Sequence, residues 1–250
     1  MAQFLRTSNP ALNDQVFRGE GAAFGAAMTV QGTVNKTGIL LLCTVATAAW
    51  AWNIFLHSHS AQAVGPLALV GVIGGLVFAF ATIFKKTWAP VTAPIYALFE
   101  GLVLGSVSAI LEVRFPGIAI QAVSLTFGTM VALLLVYRSG LIRVTDNFRT
   151  GIFAATGGIA IFYLIEMVLG FFGVHFTAVN GNGAIGIGFS VFVVIIAALN
   201  LVLNFDFIEN GARAGAPKYM EWYGAFGMMV TLIWLYFEIL QLLSKLRSRN

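Results

Sequence analysis

The stretch SVFVVIIAALNLVLNFDF, Ser190 to Phe207, decides the fold class of this chain. It is apolar for long enough to cross the hydrocarbon core of a bilayer, which takes about 20 residues in a helix. A strand of a membrane β-barrel would instead alternate apolar and polar residues over about ten positions. This stretch does not alternate, so it predicts a transmembrane helix.

The composition of the whole chain agrees with a membrane protein. The 250 residues are 59% hydrophobic and 10% charged, with a mean hydropathy of +0.89, whereas soluble domains carry about 25% charged residues. The lipid bilayer is therefore the expected surroundings of the chain. The net charge of +4 indicates no nucleic-acid partner, because the basic residues lie between apolar runs. The single cysteine, Cys43, excludes a disulfide within the chain.

Seven runs are long and apolar enough to span a membrane. They are Gly38–Leu56, Gly65–Phe84, Val91–Leu111, Ile118–Tyr137, Ile152–Val174, Ile185–Phe205 and Trp222–Leu243. The predicted fold is all-α, a polytopic bundle of seven transmembrane helices. Residues 1–36 are predicted to form a polar cytoplasmic tail, with room for a short helix after Asn13, and residues 37–250 the transmembrane domain. The tail does not resemble a secretory signal, whose hydrophobic region would lie nearer Met1.

The distribution of lysine and arginine predicts the orientation of the bundle. The tail and every second loop are basic, through Arg6, Arg18, Lys36, Lys85, Lys86, Arg138, Arg143, Arg149, Arg213 and Lys218. The other loops hold Arg114 alone, so the N-terminus is expected in the cytoplasm. Lys245, Arg247 and Arg249 then fall on the opposite side. Either the last helix is an exception to the rule, or it enters the membrane without crossing it.

Two motifs suggest ligand binding but lack the required context. Gly181–Gly186, GNGAIG, matches a dinucleotide-binding pattern, but that pattern needs a preceding strand and a βαβ unit. A flexible hinge is the better interpretation. His57 and His59 have no cysteine or carboxylate nearby in sequence to complete a metal site. No metal site, no cofactor and no enzymatic activity are expected.

Four carboxylates interrupt the apolar runs or lie at their edges: Glu100, Glu166, Asp206 and Glu238. An ionised group at the centre of a bilayer costs at least about 2.5 kcal/mol. These side chains are therefore expected to face the protein interior or a water-filled cavity. Glu100 and Glu166 are candidates for an ion pathway, and they leave open a proton-coupled transporter as a further function.

The other acids differ in their local partners. Helical spacing places Asp206, Glu209 and Arg213 on one face, where Glu209 and Arg213 can form an ion pair. Glu238 has no neighbour on its own helix that could neutralise it, so it must find a partner on another helix or hold a proton. Asn200 and Asn204 are expected to form hydrogen bonds between helices.

Glycines in the third span predict close packing of two helices. GLVLG, Gly101 to Gly105, is a pair of small residues four positions apart, which allows two helix backbones to approach closely. Glu100 lies directly beside this stripe.

Several of these segments together resemble the Bax inhibitor family of seven-helix membrane proteins, including its YccA-like bacterial branch. FDFIENG resembles the family's aspartate at the end of the sixth helix, and IWLYFEILQLLSKL resembles its last helix with a buried acid. YALFEGLVLGSVSAILE resembles its third helix. The resemblance covers the chain from about Lys36 onward.

The resemblance implies a fold and a function. The last helix would be central, and Asp206 and Glu238 would face each other as a pH-sensing pair that gates a calcium leak. Such a pair would share a proton and titrate in two separated steps, and carboxylate oxygens suit calcium as a permeant ion. A bacterial inner membrane is the implied location.

A second function belongs to a different class. The polar N-terminal tail suggests a membrane interaction protein that regulates a partner, such as a membrane-bound protease. A channel needs no such tail, whereas a docking segment does.

Overall fold

The computed structural model describes residues 27–58, 60–173 and 176–249, and seven long helices account for most of them. They are α1 (Val30–Ser58), α2 (Ala61–Phe84), α3 (Ala89–Arg114), α4 (Ile118–Arg138), α5 (Asp146–Phe171), α6 (Ala184–Arg213) and α7 (Met220–Arg249). A 3₁₀ turn, Lys86–Trp88, precedes α3, and a short helix, Thr177–Asn180, precedes α6. All seven are long and apolar enough to cross a membrane, which confirms the predicted all-α polytopic fold.

Short-range polar contacts fix where several helices begin. Thr145 caps α5 by accepting a hydrogen bond from the backbone N–H of Phe148, and Asp146 adds an acid in the first turn. Glu112, near the end of α3, accepts hydrogen bonds from the N–H groups of Gly117 at 2.5 Å and Ala119 at 3.1 Å. Its carboxylate thus caps the start of α4 and holds the α3–α4 turn closed.

The last helix lies at the centre of the bundle, as predicted. α7 packs against α1, α3, α4 and α6, and it is the most buried of the seven helices. Its large buried hydrophobic side chains are Phe226, Met228, Met229, Leu232, Ile233, Leu235, Tyr236, Ile239 and Leu240. α2 packs on α1 and α3, and α5 packs on α6. The side chains of α7 are therefore surrounded mainly by protein.

The outer surface of the bundle is apolar. Large hydrophobic side chains are exposed along every long helix, for example Leu42, Leu69, Phe80, Val91, Leu135, Phe153, Ile161 and Ile195. A soluble protein rarely exposes so continuous an apolar surface. This surface suits the hydrocarbon core of a bilayer.

The two glycines of GLVLG lie where α1 and α3 pack most closely. A methyl group on Gly101 would lie 2.3 Å from the carbonyl oxygen of Thr44, and one on Gly105 would lie 2.2 Å from that of Ala48. Neither position can hold a side chain without separating the helices. The predicted close packing is confirmed, and α1 is the partner helix.

The predicted asparagine contacts between helices are also confirmed. The side-chain amide of Asn200 donates to the hydroxyl of Thr156 on α5 at 2.8 Å. That of Asn204 donates to the hydroxyl of Thr231 on α7 at 2.7 Å. These two bonds hold α6 against α5 and α7.

The first helix begins earlier than its hydropathy suggested. α1 starts at Val30, so Gln31, Asn35 and Lys36 form its first two turns instead of ending a polar tail. Side-chain contacts explain the difference, because Gln31 donates to Asn35 one turn on and Lys36 pairs with a buried acid. α1 therefore begins within the predicted tail, and the short helix expected after Asn13 lies outside the described residues.

Candidate functional site

The two ends of the bundle are named here for two lysines. Helices α1, α5 and α7 begin at the Lys36 end, where α6 ends. At the opposite Lys245 end, α6 begins and α7 ends.

Asp206 lies on α6 in its last two turns, close to the Lys36 end, and an arginine neutralises it. Nη2 of Arg149, in the first turn of α5, donates to Oδ2 of Asp206 at 2.9 Å. Arg149 also lies 3.8 Å from Asp146 in its own helix. The side chain of Asp206 is 17% exposed. Asp206 therefore belongs to an arginine-centred cluster at the edge of the bundle.

Glu238 lies inside the bundle on α7 and is 5% exposed. Its Oε1 accepts hydrogen bonds from the hydroxyl of Tyr163 on α5 at 3.0 Å and from Nε1 of Trp234 at 3.1 Å. Its Oε2 is buried and has no partner among residues 27–58, 60–173 and 176–249. The expected partner on another helix exists, and it is a tyrosine hydroxyl.

The structure does not bring Asp206 and Glu238 together. Two bonds set the antiparallel register of α6 and α7, Asn204 to Thr231 and Lys245 to Ser190. In that register Glu238 lies level with the turn of α6 around residue 197, about nine residues or ~14 Å from Asp206 along the axis. The facing carboxylate pair implied by the resemblance is therefore wrong for this chain.

Glu209 and Arg213 form the ion pair predicted from their spacing. Nη2 of Arg213 lies 2.5 Å from Oε1 of Glu209. The hydroxyl of Tyr137, at the end of α4, donates to the other oxygen of Glu209 at 2.6 Å. This contact links α4 to α6 beside the Asp206 cluster.

The two candidate pathway residues occupy different parts of the bundle. Glu100 lies half-buried between α2 and α3, where its Oε1 would be 2.9 Å from a methyl group placed on Gly75. Glu166 lies on α5 and accepts a hydrogen bond from the side-chain amide of Asn180 in the short helix. Glu166 is on the same helix as Tyr163, one turn closer to the Lys245 end. Glu166 thus neighbours the Glu238 site, whereas Glu100 packs against α2.

Lys245 explains why the last helix can end in basic residues. It is 5% exposed, and its ammonium donates to the carbonyls of Val179 and Gly186 and to the hydroxyl of Ser190, at 2.9 to 3.2 Å. Arg247 donates to the carbonyl of Pro116 at 2.7 Å and to the side chain of Gln121 at 2.9 Å. Protein oxygens accept hydrogen bonds from both Lys245 and Arg247, and α7 extends through the whole bundle.

Glu221, which no sequence motif indicated, is the most completely buried acid of the described residues. It is 0% exposed, and its carboxylate accepts from the backbone and hydroxyl of Thr29, both at 2.9 Å. The ammonium groups of Lys36 and Lys218 also donate to it, the latter at 2.7 Å. The i,i+3 spacing of Lys218 and Glu221 was the only local signal, since Thr29 and Lys36 are distant in sequence.

The acids described above are separate carboxylates, each with its own hydrogen-bond partners. Among the described residues, no group of three or more His, Cys, Asp or Glu side chains could hold a metal ion. His57 is exposed at the end of α1, and His59 lies outside the described residues. Glu238 is distinctive because it combines deep burial, a partner on a second helix and one oxygen left without a donor.

The comparisons with known proteins give one finding. A family model described as Bax inhibitor 1 like matches residues 9–248 of the chain. No curated protein and no solved structure matches.

Proposed function

The chain belongs to the Bax inhibitor 1 like family, and we propose that it is a proton-sensitive cation leak across a membrane, with Glu238 as the sensing residue. The observation that carries the proposal is the environment of Glu238 in the central helix. One of its oxygens is held by Tyr163 and Trp234, and the other is buried without a donor. Calcium is the proposed permeant ion, because carboxylates and carbonyls are the ligands it prefers.

A proton at Glu238 changes the contact between α7 and α5. In a medium of low dielectric, adding or removing one charge alters nearby interactions far more than it would in water. The hydroxyl of Tyr163 connects that change directly to α5. Titration of Glu238 would therefore bias the packing of two helices, which is the physical requirement for a gate.

The titratable groups around Glu238 lie on α5 and α7. Lys245 follows Glu238 by about two turns on α7. Tyr163 faces it from α5, and Glu166 acts on both Tyr163 and Lys245. Because Asp206 is held by Arg149 at the Lys36 end, Glu238 would titrate as a single site.

The Asp206 cluster has a separate role in the proposal. Asp206 and Glu209 line a cavity of about 860 Å³ at the Lys36 end, together with Arg138, Arg143 and Arg213. Charged groups at the mouth of a pathway set the local concentration of ions. Because three arginines and two acids line this mouth, Asp206→Asn would make it more positive and lower the cation flux, and it would leave the dependence on pH unchanged.

The proposed location is a bacterial inner membrane with the Lys36 end in the cytoplasm. The support is the distribution of basic residues, because Lys85, Lys86, Arg143 and Lys218 all lie at that end. No catalytic step is part of the proposal.

Purified protein in calcium-loaded liposomes tests this function. We expect calcium efflux that changes between pH 5 and 8 along a single titration curve, and Asp206→Asn should scale the efflux without moving the curve. Empty liposomes give the background. Efflux equal to background at every pH would refute the leak, and two separated titration steps would refute a single sensing site.

A second candidate function is regulation of a membrane partner through the N-terminal segment. The segment leading into α1 is tied to the α6–α7 loop, because the N–H of Met28 donates to the carbonyl of Ala216 at 2.7 Å and Ala27 bridges Pro217. A partner bound to the preceding residues would therefore act next to the start of α7. Deleting residues 2–25 should abolish capture of a membrane-bound protease while calcium efflux continues, whereas unchanged capture would argue against this role.

A further inference from the structure

Two cavities lie end to end between α1 and α4. The floor of the first is formed by α3 and α7, and that of the second mainly by α6. The first, of about 570 Å³, is lined on α1 by residues from Leu41 to Leu56. The second, of about 860 Å³, is lined on α1 by residues from Val30 to Leu41. Leu41 lines both, so the cavities adjoin, and we call them together the α1–α4 seam.

The seam is as long as a membrane is thick. Val30 and Leu56 bound it on α1, which corresponds to ~39 Å at 1.5 Å per residue. The hydrocarbon core of a bilayer is about 30 Å thick. Each cavity also has a volume within the range of about 300 to 1,000 Å³ that is typical of ligand sites.

The half of the seam toward the Lys245 end is apolar. Its walls include Val45, Trp52, Val123 and Phe127, with Asn53 at the far end. The hydroxyls of Thr44 and Thr126 that reach this half are bonded to backbone carbonyls. Ser108 and Tyr236 bond to each other at 2.6 Å. These bonded hydroxyls leave a lining that suits a hydrocarbon chain.

The half of the seam at the Lys36 end is positively charged. It contains Arg138, Arg143, Asp206, Glu209 and Arg213. Arg149 neutralises Asp206, and Arg213 neutralises Glu209. Arg138 and Arg143 have no ion-pair partner within the part of the chain that the structure describes. Two positive charges therefore remain at the end of an apolar groove.

We propose that the α1–α4 seam binds one phospholipid with an anionic headgroup. Arg138 and Arg143 would hold the phosphate, since guanidinium groups match phosphate oxygens with paired donors. An acyl chain would lie along α7 between α1 and α4. The two arginines favour an anionic headgroup because the charges are complementary, and the apolar half of the seam favours a hydrocarbon acyl chain. The inference does not depend on the leak function.

Lipid titration of the delipidated full-length protein, followed by native mass spectrometry, tests the site. Phosphatidylglycerol should bind more tightly than phosphatidylcholine with the same acyl chains. The double variant Arg138→Gln/Arg143→Gln should weaken phosphatidylglycerol binding about 30-fold, at about 1 kcal/mol for each basic residue. Lys85→Gln/Lys86→Gln removes the same charge from the same end outside the seam, and it should leave binding unchanged. An equal loss in both double variants would overturn the proposal.

A matched pair of variants on α4 tests the acyl-chain position. Val123 lines the seam and Val131 does not, and both are partly exposed. Val123→Trp should therefore weaken binding of both lipids, and Val131→Trp should not. Glycerol phosphate, which has the headgroup charge without acyl chains, should not compete. Unchanged binding in Val123→Trp, or competition by glycerol phosphate, would contradict a lipid in the seam.

Discussion

Glu221→Gln should be among the most destabilising single substitutions in this chain. The glutamine keeps the shape of the side chain but removes the charge that two ammonium groups share at a site with 0% exposure. Removing one partner of a fully buried ion pair costs about 3 to 5 kcal/mol, and losing a surface pair costs about 0 to 1 kcal/mol. The loss here should lie between these values, because Lys36 and Lys218 stay partly exposed to solvent. The lost stability should come from the contact between the start of α1 and the start of α7.

The two lysines provide a graded comparison. The side chain of Lys218 is 46% exposed, so Lys218→Gln should cost about 0 to 1 kcal/mol, as for other surface ion pairs. That of Lys36 is 17% exposed and its ammonium also lies 5.5 Å from the centre of the Trp222 ring. Lys36→Gln should therefore cost more than Lys218→Gln and less than Glu221→Gln.

Reversible unfolding in mixed detergent micelles, followed by tryptophan fluorescence, measures these changes. In a double-mutant cycle, Lys36→Gln and Glu221→Gln should show a coupling energy of about 1 to 3 kcal/mol. Additive effects of the two substitutions would show that Lys36 and Glu221 do not stabilise each other. A loss in Glu221→Gln no larger than that in Lys218→Gln would refute the expected order of stability losses.

Three further changes have expected outcomes. Gly105→Ala should destabilise the bundle by about 1 to 3 kcal/mol, because its Cβ would lie 2.2 Å from a carbonyl oxygen of α1. Gly128→Ala is the control and should not destabilise the bundle, because its Cβ would meet nothing within 4 Å. Lys245→Met should lower the unfolding midpoint, because two buried carbonyls and a hydroxyl lose their donor. Tyr163→Phe removes a donor to Glu238 and should shift the pH midpoint of calcium efflux.

For each of these three substitutions, one result would contradict the expected outcome. Equal thermal stability of Gly105→Ala and Gly128→Ala would show that α1 and α3 do not pack as described. A Lys245→Met variant as stable as the parent would mean that water already satisfies those carbonyls. An unchanged efflux midpoint in Tyr163→Phe would separate Glu238 from the gate.

Hydropathy predicted all seven helices because each must cross the same thickness of hydrocarbon. It placed the start of α1 too late, since Gln31, Asn35 and Lys36 are polar. Those residues are helical because their partners, including Glu221, lie elsewhere in the fold. Average hydropathy carries no information about such partners.

Local spacing predicted the contacts that are local and could not predict the others. Glu209 and Arg213 are four residues apart on one helix, so their ion pair follows from helix geometry. Asp206 and Arg149 lie on different helices 57 positions apart, and only the packing of α5 on α6 brings them together. With Arg149 in place, Asp206 has no need of the partner that the resemblance implied.

Glu238 was identified correctly as a buried acid, but its partner was not. The sequence showed that neighbours on its own helix could not neutralise it. The hydroxyl of Tyr163 reaches it from α5 at 3.0 Å. That contact depends on how α5 and α7 are rotated relative to each other, and the sequence of either helix alone does not show this rotation.

The infrared difference spectrum between high and low pH, recorded on the reconstituted protein, tests the role of Glu238 most directly. We expect a carbonyl band from a protonated carboxylic acid that titrates together with calcium efflux. That band should vanish in Glu238→Gln and persist in Asp206→Asn. A titrating band that survives Glu238→Gln, or one that Asp206→Asn abolishes, would contradict the assignment of Glu238 as the single proton sensor.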